Sequence, residues 1–150
     1  MKIEKAIKQS KFESPIQKAV INIIYTANWF RDLQSELFKQ HDILPQHYNV
    51  LRIIKGKHPQ SVSPGDIKEV MLDKGTDVTR LVDKLVKRGL VKRSLCEENR
   101  RKIDINLTDK GLDFLKTLND PMRKQYNTIK KQLSEKEAEL LSDLLDKLRE

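Results

Sequence analysis

Three basic side chains, Arg80, Lys84 and Lys87, recur at i, i+4 and i+7 in a run whose apolar residues are Val78, Leu81, Val82, Leu85 and Val86. On a helix the two sets fall on different faces, one apolar and one cationic. The chemistry open to such a cationic face is recognition of a polyanion. A guanidinium can bond guanine O6 and N7 together, while ammonium groups neutralise phosphate. A short helix with a buried back and a cationic front is an element that can lie in a DNA major groove. Arg80 is the foremost candidate for a base contact, with Thr76, Asp77 and Thr79 beside it at the leading end of the helix. The alternative for Arg80 is an ion pair with Asp77 or Asp83 on the same helix. Phosphate repels Asp77, which therefore caps the helix or orients Arg80. Lys74, Lys84 and Lys87 are phosphate candidates, each of which taken alone is equally a solvated charge.

The surrounding pattern supplies elements that could position this face. Gly89 ends the basic helix, since only glycine takes the left-handed conformation cheaply. Val91 to Leu95 reads as a strand, and Ile103, Ile105 and Leu107 alternate with Lys102, Asp104 and Asn106 in a second one with a wet face. The polar segment Cys96-Glu97-Glu98-Asn99-Arg100-Arg101 joins them. Upstream, Ser63-Pro64-Gly65-Asp66 provides an N-cap, a first-position proline and an acid in the first turn of a short helix packed by Ile67, Val70 and Met71. Asp73-Lys74-Gly75-Thr76 is then the turn into the basic helix, capped by Thr76 or Asp77. Helix, turn, basic helix and two strands make a winged helix-turn-helix.

At this point the sequence resembles the multiple-antibiotic-resistance regulator (MarR) family of bacterial transcription factors. The matching blocks are Val78 to Leu85, Lys87 to Arg93, Asn99-Arg100-Arg101 after a wing-length gap, and Leu107-Thr108-Asp109-Lys110-Gly111, in that order and spacing. The resemblance runs from about Ile16 to the C-terminus. It implies a wing whose tip arginine enters the minor groove; the matching position is Arg101, with Arg100 beside it. Adjacent arginines suit a narrow, A·T-rich minor groove. Family members usually carry Asp two residues before this Arg, where this chain has Asn99, and Glu98 is the residue available to brace the wing instead. The resemblance also implies a cleft for an aromatic or phenolic effector. Trp29, Phe30, His47 and Tyr48 lie on segments that could line it, although aromatic residues at helical spacing also serve as plain core. The family's peroxide sensors use a cysteine in the first helix, where this chain has none. Cys96 reads as a small, half-buried strand residue, the alternative being a redox switch whose thiolate Arg93 and Arg100 would favour. Repression is the family's commoner mode and the default expectation here.

The chain of 150 residues carries 30 Lys plus Arg against 22 Asp plus Glu, a net charge of +8 that favours nucleic acid as a partner. A single cysteine excludes an intrachain disulfide framework and suits a reducing cytosol. No apolar run is long enough for a leader or a bilayer span, so a cytoplasmic protein without membrane partners is expected. His41, His47 and His58 match no compact ligand spacing, and neither metal nor cofactor is expected. No Ser-His-Asp set, nucleotide loop or paired catalytic carboxylates stands out, which argues against an enzyme.

The expected architecture is mainly α with a small β-wing, one domain over residues 1–150. A winged helix-turn-helix of about 45–120 is flanked by N- and C-terminal dimerisation helices of about 15–40 and 121–150. Met1 to Ser14 reads as a polar, poorly ordered tail, with Phe12 as its one anchor. The first long helix, from Pro15, carries Ile16, Val20, Ile23, Ala27, Phe30, Leu33 and Leu37, widened by Ile21, Ile24 and Trp29. Pro45 opens the next helix, and Pro121 is expected to break or re-aim a helix capped by Thr108. Ser134-Glu135-Lys136-Glu137 is a capping box ahead of Leu140, Leu141, Leu144, Leu145 and Leu148. Apolar faces this broad need more cover than a small chain provides, which points to a second copy. Two readings remain: a homodimeric DNA-binding regulator, or a winged-helix module that docks a protein.

Overall fold

In a computed structural model of the protein, residues 1–95 and 102–150 are described. The chain divides into two compact units, Met1–Asn49 and Val50–Glu150. In the first, α1 (Ile3–Ala6) precedes the long α2 (Pro15–Lys39), and α3 (Pro45–Lys57) begins. Ser14 caps α2 by accepting from the Gln17 N–H, with Pro15 at the first helical position where its missing N–H costs nothing. The first fourteen residues are not the loose tail that their polarity suggests. Ile3 is buried, Glu4 pairs with Lys18, and the Lys18 ammonium lies 5.8 Å from the centre of the Phe12 ring. A few well-spaced contacts fasten the segment, and averaged polarity does not register them. The Lys18 hydrogen bond holds the Glu4 carboxyl below its ordinary value.

In the second unit α3 contributes the buried Val50, Leu51 and Ile54. The short α4 (Pro64–Val70) starts at a capping box in which Ser63 accepts from the Asp66 N–H and Asp66 accepts from the Ser63 N–H. Next come α5 (Val78–Lys87), the antiparallel strands β1 (Val91–Leu95) and β2 (Ile103–Leu107), then α6 (Asp109–Lys130) and α7 (Glu135–Leu148). The strands pair Val91 with Leu107, Arg93 with Ile105 and Leu95 with Ile103. Ile105 and Leu107 face the core with Ile67, Met71, Leu81, Leu85, Leu90, Leu115 and Leu118. Val62 bridges Ile105 through two backbone bonds of 3.0 and 2.9 Å, a third edge that the sequence reading did not contain. A single residue in extended conformation leaves no alternation to read.

Two expectations are corrected. Val70 ends α4 but is 55% exposed, so Ile67 and Met71 alone anchor that helix. Pro121 does not break the chain, for α6 runs through it to Lys130. Proline forfeits the bond to the Thr117 carbonyl, but Leu118 and Met122 on either side are buried and the helix continues. The winged region and the C-terminal extension are thus joined by one continuous helix. The Ser134–Glu137 capping box opens α7 as expected. Its Leu140, Leu141, Leu144 and Leu148 remain 47–59% exposed. Among the described residues no helix is long and apolar enough to cross a membrane.

Candidate nucleic-acid interface

The site is built around α5. Val78, Leu81, Val82 and Leu85 are buried, which turns the opposite side outward. Asp77 is the cap: its Oδ1 accepts the Arg80 backbone N–H at 3.2 Å. Thr79, Arg80 and Lys87 are exposed and Lys84 is half-buried. The Arg80 side chain has no ion-pair partner among the described residues, and Asp83 is engaged elsewhere, by Arg93 of β1. The helix-surface pair open to Arg80 on sequence grounds therefore does not form.

The turn before α5 is internally tied. Lys68 of α4 reaches across it to donate to the Lys74 and Thr76 carbonyls, the latter at 2.8 Å. Lys74 folds back onto the Glu69 carbonyl near the end of α4, where carbonyl oxygens attract a cation. Asp73 Oδ1 accepts the Gly75 N–H at 3.1 Å. The Thr76 hydroxyl is buried and has no hydrogen-bond partner among the described residues, so it is not offered to solvent alongside Thr79 and Arg80. Lys68 was absent from the sequence reading, because the carbonyls it binds are six and eight residues away and leave no side-chain signature.

At the other end of α5 the chain turns a tight corner. Gly89 takes φ +69°, which a side chain would resist. Thr108 caps α6 by accepting from the Gly111 N–H and donates its own hydroxyl to the Gly89 carbonyl at 2.6 Å. Lys110 donates to the Arg88 carbonyl at 2.8 Å, and the Arg88 guanidinium lies 5.1 Å from the centre of the Phe114 ring. A Cβ added at Gly111 would meet the Leu90 carbonyl oxygen at 2.0 Å. The block Thr108-Asp109-Lys110-Gly111 thus locks the start of α6 against the residues that follow α5. Arg93 ties α5 to β1 in addition; in the sequence it stands out only as part of a matching block and as a cationic neighbour of Cys96.

Arg100 and Arg101, the expected minor-groove residues, lie outside the described residues, as do Cys96, Glu98 and Asn99. The four effector candidates belong to the first unit. Trp29 is about half exposed and meets Phe30 edge-on with ring centres 4.8 Å apart. It lines a groove of about 440 Å³ with Ile3, Asn22, Tyr25 and Thr26. Tyr48 stacks on the buried Phe38 at 4.7 Å. His47 is buried, and its Nδ1 accepts the Leu44 N–H at 3.0 Å, which makes it part of the turn into α3. Among the described residues no cluster of His, Cys, Asp or Glu could hold a metal ion.

Two helices joined by a tied turn, the second with an apolar back and a cationic front, followed by a two-stranded wing, define a winged helix-turn-helix protein. Comparison with known proteins narrows this class. Residues 41–102 match the profile of the MarR family. The crystal structure of a MarR transcription factor from Planctomyces limnophilus is 33% identical, with a TM-score of 0.70 over 91% of this chain and 98% of that one. The chain belongs to the MarR family, a family of transcription regulators and not of enzymes. The HTH-type transcriptional regulator PapX of Escherichia coli is 34% identical over 56% of this chain, a match that spans only 51% of PapX. A crystal structure of the S. aureus MepR–DNA complex shares the fold with a TM-score of 0.75 at 21% identity, over 84% of this chain and 92% of that one.

Proposed function

We propose that the chain is a homodimeric, sequence-specific DNA-binding regulator, and a repressor in its default mode. Two copies of α5 enter successive major grooves of a pseudo-palindromic operator about one helical turn apart, and the wing follows the neighbouring minor groove. The observation that carries this reading is the outer side of α5. Its back is buried, its cap is filled by Asp77, and Arg80 stands in solvent without an ion-pair partner among the described residues. A side chain so placed can form a bidentate contact without first breaking another. The likeness in fold to a MepR structure bound to DNA supports the reading, and so does the family's role in transcription. The exposed apolar faces of α2 and α7 favour a second copy as their cover.

In the same reading a small aromatic or phenolic effector relieves binding, with Trp29, Phe30, His47 and Tyr48 as the residues available to it. Trp29 is the chain's single tryptophan, so its fluorescence reports directly on occupancy of its groove. A phenolic compound that quenches it in a saturable way while releasing DNA supports this part. Quenching with DNA still bound removes it.

The deciding experiment is fluorescence anisotropy on DNA from upstream of the protein's own gene, with random-sequence competitor and a salt series. Binding that survives competitor, with one dimer per site and a steep fall with salt, is the expected result, since displaced counterions drive phosphate contact. Weak binding that competitor abolishes would favour the other class of function, a winged-helix module that docks a protein.

A further inference from the structure

The outer side of α5 carries Arg80, Lys84 and Lys87, and a single acid, Asp83. Asp83 follows Arg80 by three residues and precedes Lys87 by four, both ordinary spacings for a pair along one helix. Among the described residues its partner is instead Arg93, in the middle of β1. An acid on a surface that meets phosphate lowers affinity through Coulomb repulsion. An ion pair left this exposed, 46% for the Asp83 side chain and 32% for Arg93, also adds little to stability. Neither effect accounts for the pair, whereas its geometry does.

Arg93 stands opposite Ile105, and Ile105 is fully buried, so this part of the wing is seated on the core. At the corner after α5 the bonds from Thr108 to Gly89 and from Lys110 to Arg88 make one fixed point between the end of α5 and the start of α6, where β2 has just ended. Asp83–Arg93 makes a second, more than one helical turn back along α5. A single fixed point leaves a hinge, whereas two fix an angle. We infer that Asp83 and Arg93 are positioning residues that set the angle between the recognition helix and the wing, so that major- and minor-groove contacts fall in one register. The inference rests on the DNA-binding reading for its consequence, but its geometry can be tested without DNA.

The test compares wild type, Asp83→Asn, Asp83→Glu and the reversed pair Asp83→Arg/Arg93→Asp on operator and random duplexes at one salt concentration. Loss of a negative charge alone predicts tighter binding of Asp83→Asn to all DNA. Positioning predicts opposite signs: tighter binding to random duplex, and operator affinity down roughly tenfold, the size of coupling usual between contacting residues. Asp83→Glu and the reversed pair should recover most of the operator affinity, and melting temperatures should stay close to wild type. Tighter operator binding by Asp83→Asn, or a reversed pair no better than the single variant, overturns the inference. A large fall in melting temperature reassigns the pair to fold stability and overturns it equally. Spin labels at Lys87→Cys and Lys102→Cys, in a Cys96→Ser background without DNA, supply the independent readout. Their distance distribution should broaden in Asp83→Asn, and an unchanged width overturns the inference. Wild-type protein with no preference for any duplex removes the DNA-binding reading, and the label distances then decide the geometric claim alone.

Discussion

The corner where α5, β1 and α6 meet and the outer faces of α2 and α7 differ in how completely one chain satisfies them. At the corner nearly every group has a partner within the chain. Gly111 admits the Leu90 carbonyl, Thr108 serves two backbone groups, Lys110 and Phe114 both engage Arg88, and Asp83 engages Arg93. Along α2 and α7 the pattern is reversed. Ile16, Val20, Ile24, Tyr25, Trp29 and Leu33 on one helix, and four leucines on the other, remain at least a third exposed. Such apolar surface loses roughly 25 cal/mol for each Å² left in water instead of covered. The contrast teaches that the polar contacts holding α5 are completed inside one chain, whereas the apolar faces of the terminal helices are not covered by it.

The strongest way to break the comparison is at Gly111. Gly111→Ala sets a methyl against a backbone oxygen that cannot swing away, and overpacking of this kind costs about 3 kcal/mol or more. Urea denaturation should show the loss in midpoint. A midpoint equal to wild type would mean that the corner is looser than its contacts imply. The opposite region is probed by Leu141→Lys with Leu144→Lys. If these leucines are cover for a second copy, sedimentation should show a shift from dimer to monomer at micromolar concentration while the helical signal is retained. A dimer of undiminished affinity would move the interface elsewhere.

A smaller effect tests whether the rigid corner serves recognition. Arg80→Ala should cost on the order of 1–3 kcal/mol on the operator if the guanidinium holds one guanine, with little change on random duplex. Equal losses on both would reduce Arg80 to a phosphate contact. The smallest expected effect concerns acid. The Ser63 backbone N–H and then its hydroxyl hold the Asp66 carboxyl below its ordinary 3.8, and the Ser134 hydroxyl and then its N–H hold Glu137 below 4.5. A carboxyl depressed on folding stabilises the native state above its unfolded value and loses that contribution as pH falls through its folded value. The boxes should therefore contribute in full, and independently of pH, near neutrality, and that contribution should decline below about pH 4. Ser63→Ala with Ser134→Ala should flatten that acid limb, and an unaltered limb would assign it to other carboxylates.

Much of the fold was legible because it is written in local periodicity. The α5 stripe, the alternation in β2, the caps at Ser63, Thr108 and Ser134, and the stop at Gly89 all involve residues within a few positions of one another. The same is true of the exposed Arg80 and Lys87, since a helix with one greasy side must turn the other outward. Where a strong local rule met a stronger tertiary one, the reading failed. Pro121 reads as a residue that breaks or re-aims the chain, yet Leu118 and Met122 are buried on either side of it and the helix is not broken. Residues 1–14 read as a loose tail, yet Ile3, Glu4 and Phe12 find partners that composition averages away.

By itself the sequence determined the order of elements, the winged helix-turn-helix class, the basic face of α5 and the surplus of apolar surface at both ends. Each follows from spacing along the chain, which needs no knowledge of what folds against what. Only the tertiary structure decided that Val62 would join the sheet, that Lys68 would brace the turn before α5, that Asp83 would turn from its helical neighbours to Arg93, and that Gly111 would admit Leu90. These choices depend on which distant groups arrive within about 3 Å of one another, the range of a hydrogen bond. No periodicity in the chain encodes that distance.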